Sequence, residues 1–474
     1  MGLGFILGNA SKDHQQKDFE QLAKWRKENP NRMVYYIVPN HIKFESEVNA
    51  LKYMRQIFSQ DEKIFAAHDL QVFSFTRLAW YFMKDMPAYQ IPRISSAGSN
   101  MIIYRILRDL KDELQVFSGE ESQPGFITQL AKQMTELQNG CIMPEDVMRM
   151  AEKLPKESLG SKALLRSKLH DLALVYTRFI EMTSGRYLAN TEILTELTQY
   201  LEKIDLQNSC FLISGFNQMT AREMLLVEKL IENAESVVVD LVLNHPYVDE
   251  PPKSGDLFYR AGNLYYQLYA HAHKSKSPVM LDTYAKKTRV SQDLCNLEDY
   301  WIDSVAGFSA KEKATFENDS VKIYGAKTRT EEIRFAAAKI RQMVAVEGYR
   351  YKDFLILTRH LDLYKNVLEP IFAKAKVPIF VDLQKKVSDH PLVELLNALF
   401  AVKRRHYRYN DMMRLLKTEL LIPKDLKVET YRRMLDQTEN LILKFGYEGS
   451  AWLKEKDWIY YRFGESDFGT RTDA

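Results

Sequence analysis

The chain has 474 residues, room for roughly three domains at about 150 residues each, and its 46% hydrophobic and 27% charged make-up excludes disordered and collagen-like chains. Lys plus Arg number 66 and Asp plus Glu 63, so the net charge of +3 does not argue for nucleic acid, and any binding surface must come from local clustering. Cys141, Cys210 and Cys295 lie too far apart for a disulfide framework or a zinc ribbon; the start lacks a basic leader and a myristoylation pattern, and no window reaches about 18 apolar residues, so a cytoplasmic protein without a membrane span is expected.

The first 80 residues read as strand, helix, strand, helix, strand. Gly4-Phe5-Ile6-Leu7-Gly8 is a short apolar strand, and a helical pattern follows from Gln15 to Lys27. Met33-Val34-Tyr35-Tyr36-Ile37-Val38 is continuously apolar and stops at Pro39, which suits a strand covered on both faces. Leu70-Gln71-Val72-Phe73-Ser74-Phe75 is the next strand, and a helix opens around Thr76 to Trp80. This alternation argues for a parallel sheet with helices on both sides.

From about 97 to 205 the pattern is helical only. Phe126, Leu130, Met134 and Leu137 recur at steps of three or four, as do Leu165, Leu169, Leu172, Tyr176 and Phe179, so this block reads as a helical insertion. Strand character resumes at Cys210–Ile213 and Val237–Leu243, with a helix from Ala221 to Asn233 between them. Residues 244–318, punctuated by Pro246, Pro251-Pro252, Gly255 and Pro278, are expected to be a linker zone. A second α/β unit is expected from Val321, with strands at 321–324, 354–358 and 377–381 and helices at 328–344 and 363–374. Thr328 and Glu331 fit a capping box. Beyond Pro391 the chain reads as helical to about Lys444.

Few catalytic patterns are present. After the first strand, Gly8-Asn9-Ala10-Ser11-Lys12-Asp13-His14-Gln15 keeps one glycine and no Gly-Lys-Ser/Thr, and Asp13 would place a negative charge beside phosphate. The acid expected after a later strand is absent, since Ile213 runs into Ser214-Gly215-Phe216. His271-Ala272-His273 sits in a helical context, where i,i+2 spacing does not bring two rings to one metal. Glu331-Glu332 reads as first-turn helix charge. Hence no catalytic residue and no metal site is expected in these 474 residues.

Nucleic-acid contact has better support. Phe75, Arg77 and Trp80 lie where a strand passes into a helix, the end at which α/β sheets receive ligands. Aromatic faces stack on unpaired bases and a guanidinium grips phosphate or a guanine edge; the competing reading makes Phe75 and Trp80 core residues and Arg77 a surface charge. Lys403, Arg404 and Arg405 open the densest basic stretch, which continues through His406-Tyr407-Arg408-Tyr409. It reads as a phosphate contact or as a solvated helix face.

Several of these segments resemble the RexB/AddB family of bacterial helicase–nuclease subunits. The resemblance is carried by Gly4–Gly8, Val38-Pro39-Asn40-His41, Lys168–Leu172, Ser214-Gly215-Phe216, Gly348–Asp353 and Asp389–Leu392. Its most specific part is Val72-Phe73-Ser74-Phe75-Thr76-Arg77-Leu78-Ala79-Trp80, and the likeness runs in order across the whole chain.

The resemblance implies a superfamily 1 helicase-like α/β fold of two RecA-like parallel-sheet domains, each with a helical insertion. Domain 1A would be 1–96 and 206–285, insertion 1B 97–205, domain 2A 286–390 and the start of 2B 391–474. It also implies the DNA-holding, Chi-recognising subunit of an ATP-dependent helicase/exonuclease that resects double-strand breaks for homologous recombination. The family's Chi-reading residues fall on Phe75, Arg77, Trp80 and Phe216, matching in type. They also fall on His41 and Lys43, where relatives carry Gln and Thr. Arg359 resembles the arginine that contacts ATP in working helicases, and is read as a remnant or as structural.

The implied partners are a RexA/AddA-type helicase–nuclease subunit, in a heterodimer, and single- and double-stranded DNA. No cofactor is implied for this segment: ATP belongs to the partner. Magnesium, a 4Fe-4S cluster and a 5′–3′ exonuclease belong to a C-terminal nuclease domain outside these residues, so the sequence reads as an N-terminal portion. The alternative is an active ATP-dependent motor with an atypical nucleotide site.

Overall fold

A computed structural model describes residues 2–59, 65–154, 160–187, 192–305, 320–382, 387, 390–455 and 458. The chain divides into two compact units, residues 1–322 and 323–474.

The first unit is built on a sheet. β1 (Leu3–Gly8), α1 (His14–Glu28), β2 (Met33–Ile37), α2 (Lys43–Phe58), β3 (Leu70–Phe73) and α3 (Phe75–Met83) alternate as expected. A run of helices follows: α4 (Ser96–Asp109), α5 (Pro124–Asn139), α6 (Pro144–Lys153), α7 (Ser161–Thr183) and α8 (Glu192–Leu201). The chain then returns through β4 (Leu206–Ile213), α9 (Ala221–Asn233) and β5 (Ala234–Val242). The sheet order is β3-β2-β4-β5-β1-β6, where β6 is Thr283–Tyr284, and every pairing is parallel.

Side chains alternate across a strand, so each apolar run supplies two cores. Phe5, Leu7, Tyr35, Ile37, Phe211, Ile213, Val237 and Val239 face the core under α3, α8, α9 and α10 (Tyr259–Lys274). Ile6, Val34, Tyr36, Cys210, Leu212 and Val238 face the core under α1 and α2. Tyr35 stacks on Phe211 at 4.7 Å between ring centroids, locking neighbouring strands together.

The linker expectation for 244–318 is corrected for residues 244–305; residues 306–318 lie outside the described residues. Ala261, Leu264, Tyr265, Leu268 and Ala272 of α10 are buried in the larger core, and β6 closes the sheet edge beside β1. The prolines and glycine there mark turns within the unit. Residues 286–305 and 320–322, assigned above to 2A, also fall in the first unit, where α11 (Gln292–Val305) lies. Within the expected insertion, α8 packs on the sheet with α3 and α9, whereas residues of α4 to α7 share a separate core.

That separate core depends on one acid. Asp171, fully buried on α7, accepts hydrogen bonds from the backbone N–H groups of Gln115, Val116 and Phe117 at 2.6–3.0 Å, binding the α4–α5 connection to α7.

The second unit is helical among its described residues: α12 (Arg329–Val346), α13 (Lys365–Lys374), α14 (Pro391–Arg404), α15 (Tyr409–Leu416) and α16 (Val428–Phe445). Thr328 caps α12 by accepting from the Glu331 N–H at 3.2 Å, and Ile333, Ala337 and Ile340 form its buried stripe. The strands expected at 321–324, 354–358 and 377–381 are not formed: the described backbone has no ladder partner there, and Ile323, Leu355, Leu357 and Phe380 are exposed. Asp389 lies outside the described residues.

Asp171→Ala should destabilise the first unit by on the order of 3 kcal/mol, since three partly buried N–H groups lose a charged acceptor that is itself fully buried. Urea unfolding followed by circular dichroism tests this; an unchanged midpoint would contradict the role given to the carboxylate.

Candidate functional site

Because all six strands are parallel, their C-terminal ends open on one edge of the sheet. Three adjacent strands, β3, β2 and β4, carry the residues singled out in the sequence. His41 and Lys43 follow β2, Phe75, Arg77 and Trp80 follow β3, and Phe216 follows β4. The loops are bonded to one another: the Val38 N–H donates to the Phe73 carbonyl at 2.9 Å and the Ser214 N–H to the Ile37 carbonyl at 3.0 Å. Gly215 has φ +83°, and a Cβ there would meet Pro39 Cδ at 3.0 Å, so glycine lets the β4 loop close on the β2 loop.

α3 displays its residues by helical spacing. Arg77 and Trp80 are one turn apart, and the guanidinium lies 3.7 Å from the Trp80 ring centroid, with Lys84 Nζ at 5.6 Å. Arg77 is exposed and Trp80 half-buried, so the pair presents a flat cationic surface. Phe75 behaves differently. It is 4% exposed, its ring lies 5.1 Å from that of half-buried Phe216, and it backs Phe216 from within the core. His41 is exposed, and half-buried Lys43 opens α2.

The other half of the edge holds a different chemistry. The β1–α1 loop stands where a phosphate loop would, but its backbone donors are already used. Ala10 N–H donates to Glu298 Oε1 at 2.6 Å and Ser11 N–H to Glu298 Oε2 at 3.0 Å. Lys12 N–H donates to the Asn9 carbonyl, Asp13 N–H to that of Lys287 and His14 N–H to that of Lys12. Asp13 itself caps α1 through the Gln16 N–H at 3.0 Å.

Next to the loop is a cavity of about 390 Å³, lined by Lys12, His14, Asp18, Ser214, Asp240 and Arg289 among others. Asp240 accepts from Ser214 Oγ at 3.1 Å and pairs with His14 Nδ1 at 2.6 Å, while Tyr36 donates to Asp18 at 3.0 Å. Asp18 Oδ1 is buried without a hydrogen-bond partner. The loop donors are thus taken, and two buried carboxylates, Asp18 and Asp240, line the cavity beside them.

Sequence reasoning missed most of this half. A lone acid, Asp240, inside a buried apolar strand was a usable signal. Glu298 had none, being 287 residues or more from its partners.

Elsewhere, Lys403 and Arg404 are exposed in the last turn of α14, while Arg405 lies 3.3 Å from buried Asp411. His271 lies on α10 within 3.6 Å of Glu228 and 3.1 Å of Glu232, and His273 packs on Tyr269. Cys141 is exposed on the α5–α6 connection. Cys210 and Cys295 are buried in β4 and α11, and burial pushes the Cys210 thiol up to about 12. Arg359 is exposed, and Tyr364 donates to Glu332 at 2.9 Å. Among the described residues, no cluster of three or more His, Cys, Asp or Glu could hold a metal ion, and no helix is long and apolar enough to cross a membrane.

Comparison with known proteins adds a family. The family model described as "ADDB, N-terminal" matches residues 5–298. A relative from Levilactobacillus brevis, named as the B-type subunit of an ATP-dependent helicase/deoxyribonuclease, is 44% identical across the whole chain. Proteins of the same name from Lactiplantibacillus plantarum and Enterococcus faecalis are 42% and 39% identical, over 100% and 98% of the chain. The chain spans about 40% of the length of each of these relatives.

The buried acids give the loop region a pH dependence. Burial, and then the charge of Asp240, hold Asp18 well above the usual 3.8, outweighing its hydrogen bond from Tyr36. For His14, burial opposes the cation, yet Asp240 and the carbonyls of Asn9 and Gly8 raise it above 6.5. Both groups therefore bind a proton more tightly in the folded chain. The Asp18 contribution is complete below about 3.8 and is lost as pH rises toward its folded value; that of His14 is complete below 6.5 and is lost above it. Asp18→Asn should thus match the parent in stability near pH 4 and exceed it at pH 8. Thermal midpoints across that range test this, and a pH-independent difference would contradict it.

Proposed function

This chain belongs to the AddB N-terminal family, and from that membership we propose that it holds and reads single-stranded DNA within the AddB-type subunit of an ATP-dependent helicase/deoxyribonuclease. The carrying observation is the Arg77–Trp80 stack after β3, with Phe216 after β4 packed on Phe75, at the ends of the two strands that flank β2. A base laid on the guanidinium extends a tryptophan–arginine–base column, while the N–H edge of Arg77 reaches phosphate or a guanine edge. His41 and Lys43, one strand away, add donors to the same edge, and Lys403, Arg404 and Arg405 are assigned to phosphate contact from the second unit. In this reading the contacts recognise Chi during resection of double-strand breaks for recombination.

ATP turnover falls to a RexA/AddA-type partner subunit in a cytoplasmic heterodimer. Exonuclease chemistry, with magnesium and a 4Fe-4S cluster, falls to the part of the AddB-type subunit that the relatives have in addition. The first unit corresponds to 1A with 1B of a superfamily 1 helicase, and residues 391–474 of the second to the start of 2B. Support for the first comes from the six-stranded parallel sheet interrupted by a helical block. Support for a sensing rather than a driving role comes from the β1–α1 loop, whose donors a nucleotide-driven motor would need free.

Trp80→Ala should weaken single-strand binding by about 5- to 150-fold, as loss of one stacking platform costs ~1–3 kcal/mol. Arg77→Ala should weaken it too and lower the salt dependence by about one phosphate contact. In the assembled complex both should blunt the Chi response and leave unwinding rates unchanged. Fluorescence anisotropy with labelled oligonucleotides and Chi-dependent fragment assays measure these effects. Normal binding and normal Chi response in both variants would remove the assignment.

A further inference from the structure

The loop after β1 is bound by its own chain rather than merely lacking a phosphate-binding sequence. Two consecutive N–H groups, of Ala10 and Ser11, converge on the two oxygens of one carboxylate, the geometry with which a backbone nest grips an oxyanion. That carboxylate comes from α11, and the chain leading into α11 is laced along the loop. Asp13 N–H donates to the Lys287 carbonyl at 2.8 Å, Arg289 N–H to the Ser11 carbonyl at 3.0 Å and Arg289 Nε to the Ala10 carbonyl at 3.0 Å. Lys12 forms an antiparallel bridge with Thr288, and Lys287 Nζ reaches Gln16 Oε1 at 2.6 Å.

The surrounding charges are mixed. Lys12 and Arg289 line the cavity beside Asp13, His14, Asp18 and Asp240, and Lys287 lies with Asp13 in a neighbouring cleft. Arg289, bonded to the Ala10 carbonyl, is a cation beside the two N–H groups. A polyphosphate chain running on into the cavity meets the acids.

We propose that residues 287–298 are a built-in plug of the β1–α1 loop, with Glu298 as its resident anion, and that displacing Glu298 leaves a site for a small tetrahedral oxyanion. The plug does for the loop what a bound phosphate would, filling two N–H groups that would otherwise lack a protein partner, and so makes the unit indifferent to phosphate. This goes beyond the DNA-reading assignment and stands or falls without it, because Ala10, Ser11 and Glu298 take no part in the Arg77–Trp80 surface.

The test is a thermal-shift comparison of the 474-residue chain and its Glu298→Ala variant, without DNA. Sodium phosphate is titrated against sodium chloride at matched ionic strength. Phosphate strengthens burial in any protein, so the quantity read is the variant's shift minus the parent's. In chloride the variant should melt about 2–4 °C below the parent. In tens of millimolar phosphate or sulfate at least half of that deficit should return, with no comparable change in the parent. Glu298→Gln, which keeps one acceptor oxygen and loses the charge, should show the same selective recovery with smaller amplitude, and it decides the matter if the alanine variant does not fold. Equal midpoints for variant and parent in chloride, or a deficit that phosphate restores no better than chloride, would overturn the proposal.

Discussion

Strand direction is the constraint on which the rest depends. A parallel sheet cannot be closed by tight hairpins, so every strand needs a crossover and all the strand ends open on the same edge. That alone brings Pro39, Ser74 and Ser214 together from three distant parts of the sequence. The sheet order then splits the edge into two chemistries. Beside β3, β2 and β4 the loops display aromatic and cationic side chains with their faces open. Beside β5, β1 and β6 each backbone donor from Ala10 to His14 has an acceptor, and the floor is acidic.

The two halves differ in how they handle charge. Arg77, itself exposed, keeps its guanidinium on the half-buried Trp80 ring, where the cation loses little hydration and remains available. Asp18 and Asp240 are buried, and such a pair survives only if its charge is cancelled. His14, when protonated, supplies a cation to Asp240, and burial favours a proton on Asp18, which removes the second charge. The acid floor is therefore self-compensated and stable without a ligand. Glu298, closing the loop from the other side, completes an arrangement in which no backbone N–H from Ala10 to His14 waits for an incoming partner.

What could be read in advance follows from this. β1, β2, β4 and β5 were legible because burial on both faces makes a short continuous apolar run. Arg77 and Trp80 were visible, with Phe75, because they stand where a strand passes into a helix, whereas His41, Lys43 and Phe216 were reached only through family resemblance. Phe75 was ambiguous, since aromatic character fits core and platform equally; burial places it in the core. β6 is a two-residue exposed edge strand with no pattern to detect, and prolines around α10 mimicked a linker although the helix is core. The Glu298 contact depends on tertiary placement alone.

The second unit shows the same limit from the other side. Phe354 and Val381 are half-buried against α12 and α13, while Leu355 and Leu357 are exposed by four-fifths or more. The alternation of Phe354 with Leu355 is that of a strand with one covered face, yet no ladder forms among the described residues. A helix completes its hydrogen bonds within its own segment, so α12 could be read from its stripe and cap, and helix was expected at 363–374 and from Pro391 to about Lys444. A strand takes its partners from another part of the chain, and apolar, β-branched composition supplies only the side-chain half of that requirement. The helices of residues 323–455 were therefore readable from local sequence, and the expected strands were not, because their formation depends on a neighbour that local sequence does not encode.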